Sequence, residues 1–485
     1  MRCLALAERL KSAGARCRFI SRQMPDHLRE MLGASGHGFD LLSKAGAEEA
    51  GDLPHSAWLG VSQRTDAEQT LHALAGISCD WLVVDHYALD ARWESALRQT
   101  AARILVIDDL ADRVHDCEIL LDQNLLHAGE ARYKGKVPET CQLLLGPRYA
   151  LLREEFRQMR GEVKARDGSV KRIHVFLGGV DAGGHTLAAV DALHAADVDG
   201  LQVDVVIGPQ NPRRREIEAK CSACGFACHV QSDRMAELMA AADLAIGAGG
   251  SATWERCSLG LPTLALCVAE NQRRLVEDCA LSGLIHAPEL RACDSESIAL
   301  HLRALLRNPL LLRAMSRNGL QAVDGRGAAR VLRAMGCGSI AIREAEQADS
   351  GRVNAWRNHP QNRAVSGNAG PIDPPVHQQW FAAVLADPDR LLLIGEQGNE
   401  AVGVVRFDIR HGEAEVSIYL APDLAGEGRG AELLHAAEAW LTANRPKVRA
   451  IKARVLRDNA SSHGLFAAGG YSRCDTRYAK KVGSP

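Results

Sequence analysis

Six short apolar runs rich in β-branched residues recur through the first 330 residues, with an amphipathic helical stretch between each and the next. They span 81–84, 104–107, 173–177, 203–207, 244–246 and 263–268. Runs this short, apolar on both faces and separated by helices, specify parallel sheets covered by helices, since parallel neighbours need a crossover between them. Several runs end directly in glycine or polar residues: Asp85-His86-Tyr87, Asp108-Asp109, Gly178-Gly179-Val180-Asp181, and 247–251. In open parallel sheets the ligand lies outside the carboxyl ends of the strands, so these positions are where a site is expected. Residues 146–157, followed by the polar stretch 161–171, read as a hinge between two such sheets, and a second boundary falls near 336–338.

Beyond that boundary the pattern changes. Residues 339–382 read as helical and polar, with Pro371, Pro374 and Pro375 marking a loop. Residues 391–396, 402–408 and 413–420 then read as consecutive antiparallel strands, with Gly398 and Gly412 at the turns. The glycine-rich LAGEGRG (424–430) opens a helix over 431–443. This describes an α+β domain behind two doubly wound halves. Three domains also suit 485 residues at roughly 150 per domain. At the start, Leu4, Leu6 and Leu10 belong to a helix, and 17–21 reads as the strand after it. A doubly wound domain opens with a strand, so the first strand is expected to lie upstream of Met1.

Composition narrows the function classes. Lys+Arg 58 against Asp+Glu 60 leaves a formal charge of −2, without the basic footprint of a nucleic-acid or anionic-membrane partner. Aromatic content of 4% argues against stacking platforms for single strands. No apolar run approaches the roughly 20 residues of a spanning helix, and the first residues hold no signal-peptide core, so a cytoplasmic location is expected. Fourteen cysteines then read mostly as reduced, buried small hydrophobes. Cys221, Cys224, Cys228 and His229 have ligand-like spacing but lack a second paired set, and no metal is expected.

In Gly247-Ala-Gly-Gly-Ser251-Ala-Thr-Trp-Glu255, a strand runs into a glycine turn, Ser251 stands where an N-cap would, and a helix over 252–259 follows. Glycines admit an anion close to the backbone, and Glu255, one turn in, can accept ribose hydroxyls. A second glycine turn at Gly178-Gly179 strengthens a diphosphate reading over that of an ordinary capped turn. Asp85-His86 reads equally well as a hydrogen-bonded structural pair, and Asp108-Asp109 as loop caps. Asn271 reaches the same cleft if the two sheets face each other. In the last domain, 424–430 and the helix start Asn459-Ala-Ser-Ser462 suit a pyrophosphate-bearing cofactor.

The order of these motifs is recognisable. Through MRCLALAERL, VVDHYALD, GPRYALLREEF, FLGGVDAGG, SDRMAELMAAADLAIGAGGSATWERCSLGLPTLAL and VAENQ, residues 1–330 resemble the UDP-2,4-diacetamido-2,4,6-trideoxy-β-L-altropyranose hydrolases of pseudaminic acid synthesis. The resemblance implies the GT-B architecture, with an N-terminal half (1–155) on the sugar and water side and a second half (156–335) binding UDP. It implies that Gly179, Gly249, Gly250, Ser251 and Glu255 hold UDP and that Tyr87 and Asn271 line the sugar and water site. The implied reaction is release of UDP by attack of water at the anomeric carbon. Arg2 takes the arginine of the family's Gly-x-Gly-His-x-x-Arg loop, which puts the water-activating histidine just before Met1.

Through WRNHPQNR, HQQWF, LAGEGRGAELL and DNASSHGLFAAGGY, residues 339–483 resemble GNAT acetyltransferases. That implies acetyl-CoA held by a splayed strand carrying Ile418 and Leu420, by the loop glycines Gly426, Gly428 and Gly430, and by Asn459 and Ser462. Two positions depart from the family: Ala425 opens the glycine loop, and Phe466 stands where a tyrosine often protonates the thiolate, leaving Tyr471 and Tyr478 as candidates for that acid. Together the resemblances imply a bifunctional enzyme. It would N-acetylate a UDP-4-amino-4,6-dideoxy sugar, then hydrolyse the product. Two other readings are a UDP-sugar glycosyltransferase and a nucleotide-sugar binding module in which the GNAT domain alone is catalytic.

Overall fold

The computed structural model describes all residues except 44–50, 126, 197–199, 289–292, 368–369, 398–399, 423, 425–428 and 482–485. The chain divides into two compact units, one of residues 1–11 and 16–335, the other of 336–485 with 12–15.

Among the described residues the first unit holds three parallel sheets. Strands β1 (Arg18–Ser21) and β2 (Gly38–Leu41) pair with each other. Strands β3 (Cys79–Val84), β4 (Ala101–Ile107), β5 (Ile119–Asp122) and β6 (Gln142–Leu145) form a four-stranded sheet in sequence order. Strands β7 (Arg172–Phe176), β8 (Gln202–Ile207), β9 (Ala227–Val230), β10 (Leu244–Ala248) and β11 (Thr263–Leu266) form the third, ordered β11-β10-β7-β8-β9. The order reverses between β7 and β10, and crevices at such switch points are where α/β sheets take ligands. The apolar runs fill the sheet interiors: Ile104, Leu105, Leu120, Ile173, Val175, Val205 and Leu264 are all fully buried.

Each of the six expected runs lies within or overlaps a strand, displaced by a few residues at most. The alternation did not reveal β5 and β6. Neither has a long apolar stretch of its own, and β6 sits at the edge of what reads as a hinge; residues 147–149 there form a 3-10 turn and Glu154–Arg160 a helix. The chain enters directly in the helix Arg2–Ser12.

Beneath the four-stranded sheet's carboxyl edge lies a buried charge cluster. Asp108 accepts from Ala111 N at 2.8 Å, pairs with Arg113 at 2.8 Å, and stands 3.8 Å from His115. His115 Nδ1 meets Glu94 at 2.7 Å, and Glu94 also accepts from Asp116 N at 2.6 Å. Burial alone would lower the His115 pKa, but Asp108 and Glu94 lift it to about 9. Burial likewise opposes the Asp108 charge, yet His115 and Arg113 bring that carboxyl down to about 2.

The second unit is a seven-stranded sheet, ordered β12-β13-β14-β15-β16-β18-β17. Its strands are β12 (Ala341–Glu344), β13 (Arg390–Gln397), β14 (Glu400–Arg410), β15 (Glu413–Leu420), β16 (Ala450–Arg454), β17 (Ser472–Cys474) and β18 (Arg477–Lys481). All pairings are antiparallel except β15 with β16. Helix Arg429–Asn444 lays Leu433, Leu434, Ala437 and Leu441 onto the sheet against Leu393, Val405 and Phe407.

Two expectations need correction here. Residues 339–382 are not wholly helical, because β12 opens the sheet. Nor do Pro374 and Pro375 mark a loop. They begin the helix Pro374–Ala386, where a residue without an amide N–H costs no helical hydrogen bond. Gly412 turns between β14 and β15 with φ +78°, a conformation that favours glycine, while Gly398 lies outside the described residues.

Candidate functional site

On the four-stranded sheet, polar residues converge where β3, β4 and β5 end. Asp85, just past β3, receives Arg2 Nη2 at 2.6 Å and Nε at 3.1 Å, and Cys3 Sγ at 3.0 Å. Burial works against the Asp85 charge, but Arg2 overrides it and holds the carboxyl below its usual range. Tyr87 Oη donates to Asp109 Oδ1 at 2.7 Å, and the other Asp109 oxygen accepts from Asn124 Nδ2 at 3.1 Å, with Arg2 at 3.5 Å. Burial, then the Asp109 charge, push the Tyr87 phenol well above its ordinary value, so it stays protonated and acts as a donor. Asp122, at the end of β5, is lifted to about 6 by burial, although Asn124 N, Tyr133 and Arg132 all contact it.

The paired motif at β3 thus splits. Asp85 faces the Arg2 guanidinium, whereas the His86 ring accepts from Ala88 N at 3.1 Å and serves the turn. Around Tyr87 stand His55 and a Trp58 that is 58% exposed, with ring centroids 5.5 and 5.9 Å from it.

On the five-stranded sheet, β10 runs into the glycine turn. Gly249 gives its N–H to Leu266 O at 3.1 Å, and a Cβ there would fall inside Val276. Any backbone donors this turn offers an anion therefore come from Gly250, Ser251 or Ala252. Ser251 stands at the start of helix Ala252–Ser258, in helical conformation and without a side-chain cap bond, so its hydroxyl does not do the capping expected of it. Glu255 lies 3.5 Å from Arg153, and burial pushes its carboxyl upward despite Arg153 and Arg256.

Behind the turn sits Arg256, 1% exposed, donating to Ala248 O at 2.7 Å and to Thr253 Oγ1 at 3.2 Å, with Nε and Nη1 lacking any hydrogen-bond partner. Burial brings its pKa down to about 10. A buried cation with donors left over, backing a glycine turn, favours negative charge in front of that turn.

The second glycine turn is built differently. Gly179 O accepts from Gly208 N at 3.0 Å, and the amino end of the helix His185–Ala195 is already taken by Asp181, which accepts from His185 N and Thr186 N. That helix end is therefore filled by a carboxylate of the protein. Gly179 itself is exposed, as is Asn271 in the 3-10 turn Glu270–Gln272. Its neighbour Gln272 lies over the turn, 3.6 Å from where a Gly250 Cβ would stand.

The two clusters are joined within this unit, since Trp254 Nε1, on the helix after the glycine turn, donates to Asn124 Oδ1 at 3.2 Å. Sequence reasoning missed Asn124, Arg153 and Arg256 as site residues, and placed Arg2 only as the arginine of the family loop, not at Asp85 and Asp109. Asp109 was read as a loop cap, and only the coincidence of strand ends in space brings these side chains together. On the expectation that this turn holds UDP, replacing Gly249 with valine weakens UDP binding at least tenfold in titration calorimetry, because Val276 must displace the turn. Unchanged affinity would remove the turn from the site.

In the second unit, β15 pairs with β16 only from Glu413 to Val416, while its pairing with β14 continues to Leu420. The stretch 417–420 is thus open on the β16 side. Ala421 N bonds to Val402 O of β14, and strand alternation then directs the backbone groups of Ile418 and Leu420 to the open side. Leu420 O there accepts from Asn362 Nδ2 at 3.0 Å.

Gly430 lies in the first turn of helix Arg429–Asn444, whereas Gly426 and Gly428 are outside the described residues. Asn459 caps helix Ala460–Ala468 by accepting from Ser462 N at 3.1 Å. Of the two candidate acids, Tyr471 Oη donates to Glu438 at 2.6 Å and Tyr478 Oη meets His463 Nδ1 at 2.7 Å. Both rings are buried in the core, with their hydroxyls engaged by Glu438 and His463. Among the described residues no group of three or more His, Cys, Asp or Glu could hold a metal ion, and no helix is long and apolar enough to cross a membrane.

Residues 353–471 match the acetyltransferase (GNAT) family, so the chain ends in a GNAT domain. The N-terminal half is similar to the UDP-2,4-diacetamido-2,4,6-trideoxy-β-L-altropyranose hydrolase of Campylobacter jejuni, 27% identical over 206 residues, covering 42% of this chain and 71% of the relative. The spore coat polysaccharide biosynthesis protein SpsG of Bacillus subtilis is 28% identical over 211 residues, 42% of this chain and 60% of SpsG. The Methanocaldococcus jannaschii protein MJ1062 is 22% identical over 438 residues, 84% of each chain. Both resemblances read from the sequence are thus met.

Proposed function

We propose that this chain carries out two consecutive steps on one nucleotide sugar: acetyl transfer to the amine of a UDP-4-amino-4,6-dideoxy sugar, then hydrolytic release of UDP from the diacetamido product. The observation that carries the reading is a pair of polar clusters in the first unit joined by the Trp254–Asn124 hydrogen bond, one a glycine turn backed by a buried cation, the other Tyr87 and Arg2 held by the carboxylates of Asp109 and Asp85. In this reading 1–155 is the sugar and water side, 156–335 the UDP side and 339–483 the acetyltransferase. The Campylobacter relative's name supplies the substrate class.

Gly179, Gly249, Gly250, Ser251 and Glu255 are assigned to UDP. Glu255 takes the ribose hydroxyls, and the turn, with Arg256 behind it, takes the diphosphate. As the C1–O bond breaks, negative charge grows on the leaving diphosphate, and a cation fixed in a low-dielectric site stabilises it without reorganising. Tyr87 gives its one proton to Asp109 and so turns its oxygen lone pairs to the attacking water, accepting the water proton that is lost as C1 is attacked while its own proton passes to Asp109, and Asn271 lines the same space. UDP release measured with no acceptor present tests this half; release only on adding an acceptor hydroxyl would make it a glycosyltransferase.

For acetyl-CoA the open edge of β15 fits a pantetheine arm, whose amides would pair with the backbone of Ile418 and Leu420. Gly426, Gly428 and Gly430 are assigned to its pyrophosphate, with Asn459 and Ser462 beside the arm. When bound, the thioester supplies an activated acyl carbon. Replacing Ile418 with proline removes an N–H that β14 does not use, and is expected to lower CoA affinity about tenfold or more with the fold retained. Unaltered CoA binding by a folded Ile418→Pro protein would count against the open edge as the binding strand.

A further inference from the structure

We infer that Asn124 is a positioning residue that carries occupancy of the nucleotide turn to Tyr87. This rests on the reading above that the turn binds UDP. The connection runs through four side chains: Trp254 Nε1 to Asn124 Oδ1 (3.2 Å), Asn124 Nδ2 to Asp109 Oδ2 (3.1 Å), and Tyr87 Oη to Asp109 Oδ1 (2.7 Å). Every polarity along it is forced. An indole nitrogen can only donate and an ionised carboxylate can only accept, so the amide between them must turn its oxygen to Trp254 and its nitrogen to Asp109. Aspartate at 124 would set two carboxylates against each other, and leucine would leave the buried indole N–H unpaired.

Both ends of Asn124 are held. Its backbone N–H bonds to Asp122 Oδ1 at 3.0 Å, fixing the amide at the end of β5. Trp254 is fully buried and lies between Ser251 and Glu255, the two UDP-assigned residues of its helix, so it moves with that helix. At the other end Asp109 has one oxygen on Tyr87, and its second is shared by Asn124 and Arg2. A shift of the helix as the turn closes on a diphosphate therefore moves the amide, then the carboxylate, then the phenol. UDP alone, lacking the sugar, should reach Tyr87 only by this route. Coupling of this kind is reciprocal, so a group seated on Tyr87 should also tighten UDP.

The test is hydrogen exchange with UDP as the probe, on the full chain and on Asn124→Leu and Trp254→Phe, the latter keeping a ring in the buried site while deleting the donor. In the unaltered protein UDP should slow exchange in peptides covering both 247–256 and 84–90. In both variants protection of 247–256 should persist while that of 84–90 is lost. In turnover, Asn124→Leu should slow UDP release about 10- to 100-fold with UDP affinity changed less than about threefold, and should add little further loss to Tyr87→Phe.

Protection of 247–256 without 84–90 in the unaltered protein would overturn the inference and leave the nucleotide site standing. Protection of neither segment would overturn the nucleotide site, and the inference with it. Persistent protection of 84–90 in folded Asn124→Leu protein would show that the signal takes another route.

Discussion

Tyr87→Phe is expected to slow UDP release by about 10²–10⁴-fold, the usual worth of a group positioned for proton transfer, while UDP affinity changes less than about threefold. The reason lies in how the phenol is held. Burial and Asp109 keep it protonated across the working pH range, and the hydrogen bond to Asp109 fixes its direction. The ring packs beside His55 and Trp58, and phenylalanine preserves that packing, so the loss should fall on kcat. Single-turnover kinetics with UDP binding measured separately check this. A variant losing affinity and rate together would instead place Tyr87 in substrate binding alone.

The second large effect is on stability. Glu94→Ala is expected to destabilise the first unit by about 3–5 kcal/mol, since it strips the buried His115 and the Asp116 N–H of their shared partner. The same cluster sets a pH window. His115 is raised from 6.5 to about 9, so its contribution is complete below 6.5 and is lost as pH rises through 9. Asp108 is lowered from 3.8 to about 2, so its contribution is complete above 3.8 and is lost as pH falls through 2. Thermal unfolding should therefore show Tm falling as pH rises from 6.5 toward 9, and Glu94→Ala should flatten that slope. A slope untouched by Glu94→Ala would show that His115 draws its charge from elsewhere. The cluster matters to the site because Asp108 anchors the strand end from which Asp109 projects.

Much of this architecture was legible in the sequence. Apolar runs marked the central strands, because burial on both faces leaves a composition that no loop shares. β5 and β6 were hidden because they are leucine runs bounded by polar residues, without the β-branched composition that marked the others. Pro374 misled, since proline ends helices and also begins them. Within the site, the glycine turn and Tyr87 were visible because each sits in a local motif. Asn124 and Arg256 were not, and for Arg2 only its place in the family loop was; the partners that give Arg2 and Asn124 their meaning lie far away in the chain, Asp85 and Asp109 for Arg2 and Trp254 for Asn124. For Arg256 it comes from burial behind its own turn, which no spacing encodes. At the Gly178-Gly179 turn, Asp181 folds back onto the end of the following helix, so the exposed Gly179 backbone, and not that helix end, is what the turn offers to UDP in the proposed site.

The central claim is that one chain performs both steps, and a paired time course tests it most directly. The protein is given the UDP-4-amino-4,6-dideoxy sugar, with and without acetyl-CoA, and free CoA and free UDP are followed together. The account predicts that CoA appears first, UDP follows after a lag, and no UDP appears when acetyl-CoA is withheld. CoA without UDP, in a protein shown to bind UDP, would contradict the claim by leaving the first unit a nucleotide-sugar binding module.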